Sequence, residues 1–290
     1  MSLAPVGDGQ AWAVADVPPP TAPAAIELHR VTKRFDRDGA RPAVLADVSL
    51  TVAQGEFVSL LGASGCGKST LLGLVAGLDT PTSGTVSTPG GRAALMFQES
   101  ALFPWLTAGQ NVELALKLRG VPRGERRDEA DRLLELVHLT GQHRTRVHEL
   151  SGGMRQRVAL ARALAQDARV LLMDEPFAAL DAITRDVLHD ELTRVWQETG
   201  LACVFVTHNV REAVRLGQRV ELMSSRPGRF VRRWNVEIEG PRRIEAPAVA
   251  ELSREITDDL RREIRRHAKP VAPATVEVTT TDQNDEEVAR

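Results

Sequence analysis

The sequence predicts an α/β protein, and three features of the chain lead to that fold class. Short apolar runs alternate with helical stretches, a glycine-rich turn follows one of the early runs, and a purely helical stretch interrupts the alternation. Short apolar runs of this kind are typical of strands that are buried on both faces of a parallel sheet. We therefore expect a largely parallel sheet, to which the N-terminal strands add an antiparallel β part.

The predicted strands are short apolar segments spread along the chain. They lie at 25–31, 43–52, 56–61, 92–97, 169–174 and 202–207. Between about residues 100 and 160 no strand pattern occurs, and one segment there has the i, i+3, i+4, i+7 spacing of a helix face. Its apolar positions are Ala130, Leu133, Leu134 and Val137. This stretch predicts a helical subdomain inserted into the α/β core.

The two ends of the chain differ in composition from its centre. Residues 1–24 are rich in proline and alanine, and residues 268–290 have no apolar pattern, so we expect a disordered arm and a disordered tail. The main domain is expected at 25–240, followed by a helical extension at 241–267. Apolar residues recur in the extension at every fourth position: Leu252, Ile256, Leu260 and Ile264. They predict a helix that docks by a thin apolar edge, on the body or on a second copy.

Composition limits the functions that the chain can have. The formal net charge is -2, whereas nucleic-acid-binding proteins usually carry a basic surface, so no nucleic acid partner is expected. Cys66 and Cys203 lack the paired spacing of a disulfide framework or a thiolate metal site. The chain shows neither a signal peptide nor an apolar run of about 18 residues. We therefore expect a soluble cytoplasmic chain whose membrane role comes through a partner.

A phosphate-binding loop is predicted in the segment GASGCGKST, residues 62–70. The segment lies between a predicted strand and a helical stretch, and it fits the pattern G-x-x-x-x-G-K-[ST]. Glycines let backbone N–H groups face a phosphate, and the following helix N-terminus adds partial positive charge. Lys68 is expected to reach the β- and γ-phosphates, and Ser69 to ligate Mg²⁺. The residues expected to bind ATP here are Gly62, Ala63, Ser64, Gly65, Cys66, Gly67, Lys68, Ser69 and Thr70.

Two acidic residues end another predicted strand. Asp174 and Glu175 follow the apolar run in VLLMDEP. The carboxyl ends of parallel strands share one edge of a sheet, so these carboxylates are expected on the same edge as the phosphate loop. Asp174 would hold Mg²⁺ through water, and Glu175 would orient the attacking water or accept its proton.

The segment LSGGMRQR at residues 150–157 resembles the signature of ATP-binding cassette (ABC) proteins. Other motifs occur in the order found in that family. Gln98 in MFQES resembles the Q-loop glutamine, and Asp181 in AALD resembles the D-loop aspartate. His208 in VTHNV resembles the switch histidine, and Phe35 in VTKRF the aromatic residue that stacks on adenine.

The resemblance spans about residues 26–235 and implies a P-loop NTPase (ABC ATPase) core. It implies that Gln98 contacts Mg²⁺ and the attacking water, and that His208 contacts the γ-phosphate. It also implies a head-to-tail homodimer, in which the signature of one subunit closes on the ATP held by the other. The signature residues themselves suit an anion, because a serine hydroxyl and glycine N–H groups precede a helix. They are Ser151, Gly152 and Gly153.

The sequence departs from the family pattern at Asn209. Aspartate is common after the switch histidine, and asparagine removes its charge. We expect hydrolysis to persist at an altered rate, because Lys68, Glu175 and His208 are all present.

Two segments are similar to those of the nitrate, sulfonate and taurine importer subfamily: LFPWLT at 102–107 and SSRPGRF at 224–230. Lys68 and Ser151 are 83 residues apart, which leaves no room for the coiled-coil insertion of repair ATPases. The resemblance implies a peripheral ATPase subunit on the cytoplasmic face of the membrane. Its partners would be a separate permease and, indirectly, an extracytoplasmic substrate-binding protein.

Phe103 and Trp105 are the expected permease contacts. In importers of this family the junction after the Q-loop lines a groove that receives a short coupling helix, and aromatic residues are favoured at such anchors. The alternative is that one or both rings belong to the core.

Two other functions stay open at this stage. A soluble ABC protein that acts on nucleic acid or ribosomes would share these motifs, although the net charge and the single cassette count against it. A P-loop kinase outside the ABC family would need LSGGMRQR to be accidental. Phosphoryl transfer to a small molecule, without ATP-driven dimerisation, would identify such a kinase.

Overall fold

The computed structural model describes residues 22–36, 42–239 and 242–267. The strands are β1 (Ala24–Lys33), β2 (Leu45–Ala53), β3 (Phe57–Gly62), β4 (Ser83–Ser87), β5 (Ala93–Met96), β6 (Val170–Asp174), β7 (Ala202–Val206), β8 (Arg219–Met223) and β9 (Phe230–Asn235). The α-helices are α1 (Lys68–Val75), α2 (Ala108–Arg119), α3 (Arg126–Leu136), α4 (Gly152–Leu164), α5 (Ala182–Thr199), α6 (Val210–Leu216) and α7 (Pro247–His267). A 3-10 helix covers Val147–Glu149.

Most of the predicted arm at 1–24 and all of the predicted tail at 268–290 lie outside the described residues. Ala24, which we assigned to the arm, is the first residue of β1. The carbonyl oxygen of Pro23 accepts a hydrogen bond from the Gln54 N–H at 2.9 Å, so ordered structure begins before residue 25.

The central layer is a six-stranded sheet in the order β5-β6-β7-β3-β8-β9. Its strands are parallel except β9, which runs antiparallel to β8. Every residue of β3 and β7 is buried, as expected for strands covered on both faces. The predicted largely parallel sheet is confirmed.

A second, three-stranded sheet has the order β2-β1-β4, and both of its pairings are antiparallel. It confirms the predicted N-terminal antiparallel part. The sequence did not reveal β4, because its residues SGTVS are polar and largely exposed and so carry no apolar run.

Two strands of the central sheet, β8 and β9, also escaped prediction, because charged residues interrupt their apolar pattern. Arg219 and Glu221 are buried in β8, and their side chains pair at 2.8 Å. Arg233 of β9 pairs with the same carboxylate at 2.5 Å. Mutual neutralisation thus allows charges inside a sheet, where an unpaired charge would be costly.

The region between residues 100 and 160 contains α2, α3, the 3-10 helix and the start of α4. Its described residues form no strand. The helix face predicted at Ala130, Leu133, Leu134 and Val137 is buried in an apolar cluster with residues of α2 and α4. This cluster continues to the central sheet, so the helices and the sheet pack as one body.

Helix α7 packs beside α6 and β9. Ile256 is fully buried, and Leu252 and Leu260 are partly buried against the same apolar cluster, whereas Ile264 is 46% exposed. The predicted stripe therefore docks along three of its four positions. Arg232 of β9 also pairs with Glu255 of the helix at 2.8 Å. None of the described helices is long and apolar enough to cross a membrane.

Candidate functional site

The predicted site residues meet at one edge of the central sheet. Strands β5, β6, β7 and β3 are parallel neighbours, so their carboxyl ends lie side by side. The phosphate loop follows β3, and Gln98 follows β5 by two residues. Asp174 ends β6, and His208 comes shortly after β7. Ligands of open α/β sheets bind at this edge.

The phosphate loop has the backbone that its glycines allow. Gly65 and Gly67 have φ angles of 75° and 103°, in the region where side chains are strained. A Cβ atom on Gly67 would lie 2.7 Å from the Leu45 side chain, so a larger residue would not fit without movement. Ser69 and Thr70 stand in the first turn of α1, directly after the loop.

Lys68 lies inside the loop, with 6% of its surface exposed. Its Nζ atom donates hydrogen bonds to the carbonyl oxygens of Gly62 at 2.8 Å and Ala63 at 3.1 Å. The loop therefore holds an ammonium charge at the N-terminus of α1, which suits an anion. Burial raises the pKa of the neighbouring Cys66 thiol, which disfavours its reactive thiolate form.

The acidic end of β6 has an unusual backbone. Asp174 is half-buried at the last strand position, and the next residue, Glu175, has a φ angle of 46°. Left-handed backbone at a non-glycine residue is uncommon and concentrates at functional sites. The Glu175 N–H donates to the carbonyl oxygen of Val206 at 3.0 Å, which ties this turn to the end of β7.

His208 and Glu175 are in direct contact. The Nδ1 atom of His208 lies 2.9 Å from Oε2 of Glu175, and the imidazole is 65% exposed. The following Asn209 caps α6, because its Oδ1 atom accepts hydrogen bonds from the N–H groups of Arg211 and Glu212. Asparagine therefore keeps the helix cap that aspartate would make, without the charge.

Gln98 has an exposed side chain and a backbone held by α4. Gln156 Nε2 donates to the Gln98 carbonyl oxygen at 2.9 Å. Arg162 donates to the carbonyl oxygens of Ser100 and Ala101 at 2.8 and 2.6 Å. These two α4 side chains fix the segment that carries Gln98. The sequence carried no signal for them, since a carbonyl partner distant in the chain leaves no pattern.

The signature stands apart from the phosphate loop of the same chain. Ser151 caps α4, and its hydroxyl accepts a hydrogen bond from the Met154 N–H at 3.2 Å. Among the described residues no hydrogen bond joins Ser151 to the loop. A Cβ atom on Gly153 would lie 2.6 Å from Cγ2 of Thr184, so the signature packs against the start of α5.

Asp181 caps α5 next to the signature. Its carboxylate accepts a hydrogen bond from the Thr184 N–H at 3.0 Å, and this bond lowers the pKa of Asp181. Gly152 lies close to Leu180, the residue before the cap: a Cβ atom added to Gly152 would be 3.3 Å from the Leu180 side chain. The predicted D-loop and signature residues are therefore neighbours.

Phe35 follows β1 and is 66% exposed. The Nζ atom of Lys33 lies 5.0 Å from the centre of its ring and 2.6 Å from a carboxylate oxygen of Asp79. The Lys33 carbonyl oxygen accepts from the Val44 N–H at 2.8 Å, and Val44 lies beside Gly67. An exposed ring near the phosphate loop suits stacking on a nucleobase.

A groove of about 710 Å³ opens between the sheet and α2. Phe103 lines it, whereas Trp105 is 66% exposed and lies outside its lining. The two rings contact each other with centroids 5.4 Å apart. Asn111, buried in α2, accepts from the Phe103 N–H at 2.8 Å and so fixes that backbone. The other apolar lining residues include Leu95, Phe97, Leu114 and Leu118.

Comparisons with known proteins agree with this geometry. A family model described as ABC transporter matches residues 45–178. A nitrate import ATP-binding protein of Synechocystis is 47% identical over 70% of this chain and 79% of that protein. A taurine import ATP-binding protein of Burkholderia pseudomallei is 49% identical over 69% of this chain and 80% of that protein.

A solved structure matches as well. The dimeric structure of an ATP-binding cassette in a post-hydrolysis state, bound to ADP and Pi, has a TM-score of 0.64 at 33% identity. The match covers 74% of this chain and 100% of that chain.

Proposed function

Because the chain belongs to the ABC transporter family of ATP-binding proteins, we propose that it energises the uptake of a small anion or organic sulfonate through a separate permease. As a member of this family the chain is an ATPase. The names of its relatives indicate nitrate and taurine import, so the proposed cargo is nitrate, taurine or another aliphatic sulfonate. Neither relative supports action on nucleic acid, and family membership removes the kinase alternative.

One observation carries the proposed mechanism: the phosphate loop, two carboxylates, a glutamine and a histidine follow adjacent parallel strands at one sheet edge. Lys68 would hold the β- and γ-phosphates. Glu175 would orient the attacking water or accept its proton, and His208 would bond the γ-phosphate.

The residues at this edge fit Mg²⁺ bound together with ATP. The described residues contain no cluster of three or more His, Cys, Asp or Glu that could hold a metal. Mg²⁺ prefers oxygen ligands and is usually shared between one or two carboxylates, waters and substrate phosphates. Ser69, Asp174 and Gln98 would provide a hydroxyl, a carboxylate and an amide oxygen. When bound, the ion would neutralise phosphate charge.

A head-to-tail homodimer would use the signature residues as a second phosphate-binding site. Ser151 is the N-cap of α4 and Gly153 lies in its first turn, and among the described residues neither makes a hydrogen bond to the phosphate loop of its own chain. A two-fold axis would place the signature residues, with Asp181 beside them, on the ATP of the partner. The same contact, made twice, would then form two sites. The dimeric state of the matching cassette supports dimerisation.

The groove between the sheet and α2 is the proposed permease contact. Its apolar lining and the exposed aromatic pair suit a short amphipathic helix. Phe103 would form the wall, and Trp105 would extend the surface at the rim. The chain would then work as a peripheral subunit on the cytoplasmic face of the membrane, with a substrate-binding protein on the opposite side.

Uptake assays test this function. Cells that lack the chain should lose ATP-dependent uptake of labelled nitrate, taurine or an alkanesulfonate, and the wild-type chain should restore it. The Lys68→Ala variant should be expressed and fail to restore uptake. Uptake of all three compounds that is unaffected by loss of the chain would contradict the proposal.

A further inference from the structure

We propose that Arg185 and Glu212 are positioning residues for hydrolysis, because they join the turn that carries Asp181 to the segment that carries His208. The proposal rests on the proposed function, since it serves the same ATPase site. Arg185 lies in α5 and Glu212 in α6, and neither belongs to a motif that the sequence pattern marked.

The Glu212 carboxylate holds the backbone around His208. The Thr207 hydroxyl donates to Glu212 Oε2 at 2.6 Å and accepts from the Asn209 N–H at 3.0 Å. The residues before and after His208 are therefore tied to one another through a single hydroxyl, and that hydroxyl is anchored on Glu212. Thr207 and Glu212 are both buried, so water does not compete for these bonds.

The Arg185 guanidinium binds the turn between β6 and α5. It donates to the carbonyl oxygens of Phe177 at 3.3 Å and Leu180 at 2.7 Å, near the two ends of the turn before Asp181. The same group lies 3.3 Å from Glu212 Oε1. The planar guanidinium thus contacts both the turn after β6 and the Glu212 carboxylate, a geometry that lysine cannot reproduce.

Arg185 is the cation that matches the buried carboxylate. Burial raises the pKa of Glu212, while the bond from Thr207 and the charge of Arg185 oppose that rise. His189 also lies 3.8 Å from the carboxylate, but burial lowers the pKa of His189 to about 3, so its ring is neutral. Without Arg185 the Glu212 carboxylate would lose its charge partner and its connection to the turn before Asp181.

The link continues to the signature. Gly153 packs against Thr184, the residue before Arg185. A chain of contacts therefore runs from the signature helix through Arg185 and Glu212 to the switch histidine. In the proposed dimer the signature touches the ATP of the partner, so this chain would align His208 with the closed state of the interface.

The test compares Arg185→Gln, Glu212→Gln and the double variant with a matched control, Arg194→Gln. Arg194 also lies in α5, and it also bonds a carboxylate, Glu198, and a backbone carbonyl. Both test variants should lower kcat by roughly tenfold or more with KM for ATP within about threefold, because the His208 backbone loses its alignment. The control should keep kcat. Because the two residues act as one unit, the kcat of the double variant should be no lower than that of the less active single variant.

Hydrogen exchange gives a readout that needs no hydrolysis. In Arg185→Gln the Asn209 and Glu212 amides should exchange roughly tenfold faster, whereas in Arg194→Gln they should not. Unchanged exchange at these amides, or equal kcat losses in the test and control variants, would overturn the link. An inactive wild-type chain with the expected exchange pattern would instead contradict the proposed function and leave the link standing.

Discussion

The Nδ1 atom of His208 lies 2.9 Å from Oε2 of Glu175, so the two side chains that we place at the γ-phosphate already share a hydrogen bond. They reach each other from the ends of neighbouring strands, β6 and β7. Phosphate oxygens only accept hydrogen bonds. An ionised carboxylate accepts as well, so a contact of His208 with both groups at once needs an N–H on each ring nitrogen.

Glu175→Gln should separate ATP binding from hydrolysis. The amide keeps the shape of the carboxylate but cannot take a proton, so hydrolysis should fall by roughly 100- to 10,000-fold. ATP affinity should be retained, and the variant should accumulate as an ATP-bound dimer, which light scattering with ATP and Mg²⁺ would detect. A variant that stays monomeric under these conditions would remove Glu175 from the proposed dimer cycle.

Lys68→Ala should abolish turnover. Loss of the buried ammonium removes the charge that would face the phosphates, and hydrolysis should fall by roughly 100- to 1,000-fold. Lys117→Ala is the matched control, because Lys117 lies exposed at the end of α2 and outside the site. Undiminished turnover in Lys68→Ala, measured as phosphate release, would take Lys68 out of the mechanism.

Trp105→Ala should uncouple hydrolysis from uptake. The exposed ring is proposed to bind the permease, and loss of an aromatic anchor costs about 2 kcal/mol, roughly thirtyfold in affinity. Phosphate release by the isolated chain should stay unchanged, while copurification with the permease and uptake should drop. Ile264→Ala removes another exposed apolar side chain, on α7, and should change neither copurification with the permease nor uptake. If Trp105→Ala unfolds the helical region, the ring is structural.

Glu191→Gln should change how stability depends on pH. Burial raises the pKa of Glu191 to about 7, above its ordinary value of 4.5, although Arg157 lies 3.0 Å away. The folded state therefore binds this proton more tightly than the unfolded state. The free energy of unfolding should fall as pH rises from 4.5 to 7, by about 1 to 3 kcal/mol.

The glutamine side chain does not titrate, so the variant should lose less unfolding free energy between pH 5 and pH 8 than the wild-type chain. Urea titrations at the two pH values would measure this difference. Glu198→Gln provides the control, because Glu198 is an exposed acid on the same helix. Parallel pH profiles for wild-type and Glu191→Gln would show that Glu191 is ionised throughout.

Sequence patterns located the nucleotide motifs because each depends on residue type within a few positions. The turn at Gly67 needs glycine, and a parallel strand needs an apolar run, so both leave local signals. Strands β8 and β9 left none, since Arg219, Glu221 and Arg233 neutralise one another across the sheet. The same limit hid Arg185 and Glu212, whose partners are distant in the chain.

Trp105 shows a different limit. Its neighbour Phe103 lines the groove, but Trp105 does not, although the two rings are in contact. A sequence shows that two rings are close together, but which of them faces a groove depends on the packing of α2 against the sheet. The role of Trp105 as a permease contact remains a prediction for the uptake assay.

The hold of α4 on the Gln98 segment has a mechanical consequence. Ser151 caps one end of this helix, and Arg162 grips Ser100 and Ala101 near the other end, about 16 Å away at the rise of an α-helix. Unless it pivots about one end, a stiff helix passes a displacement of its N-terminus on to its other end. A partner subunit that pulls on Ser151 would therefore shift the wall of the permease groove, and a permease that pushes on the groove would tilt the signature.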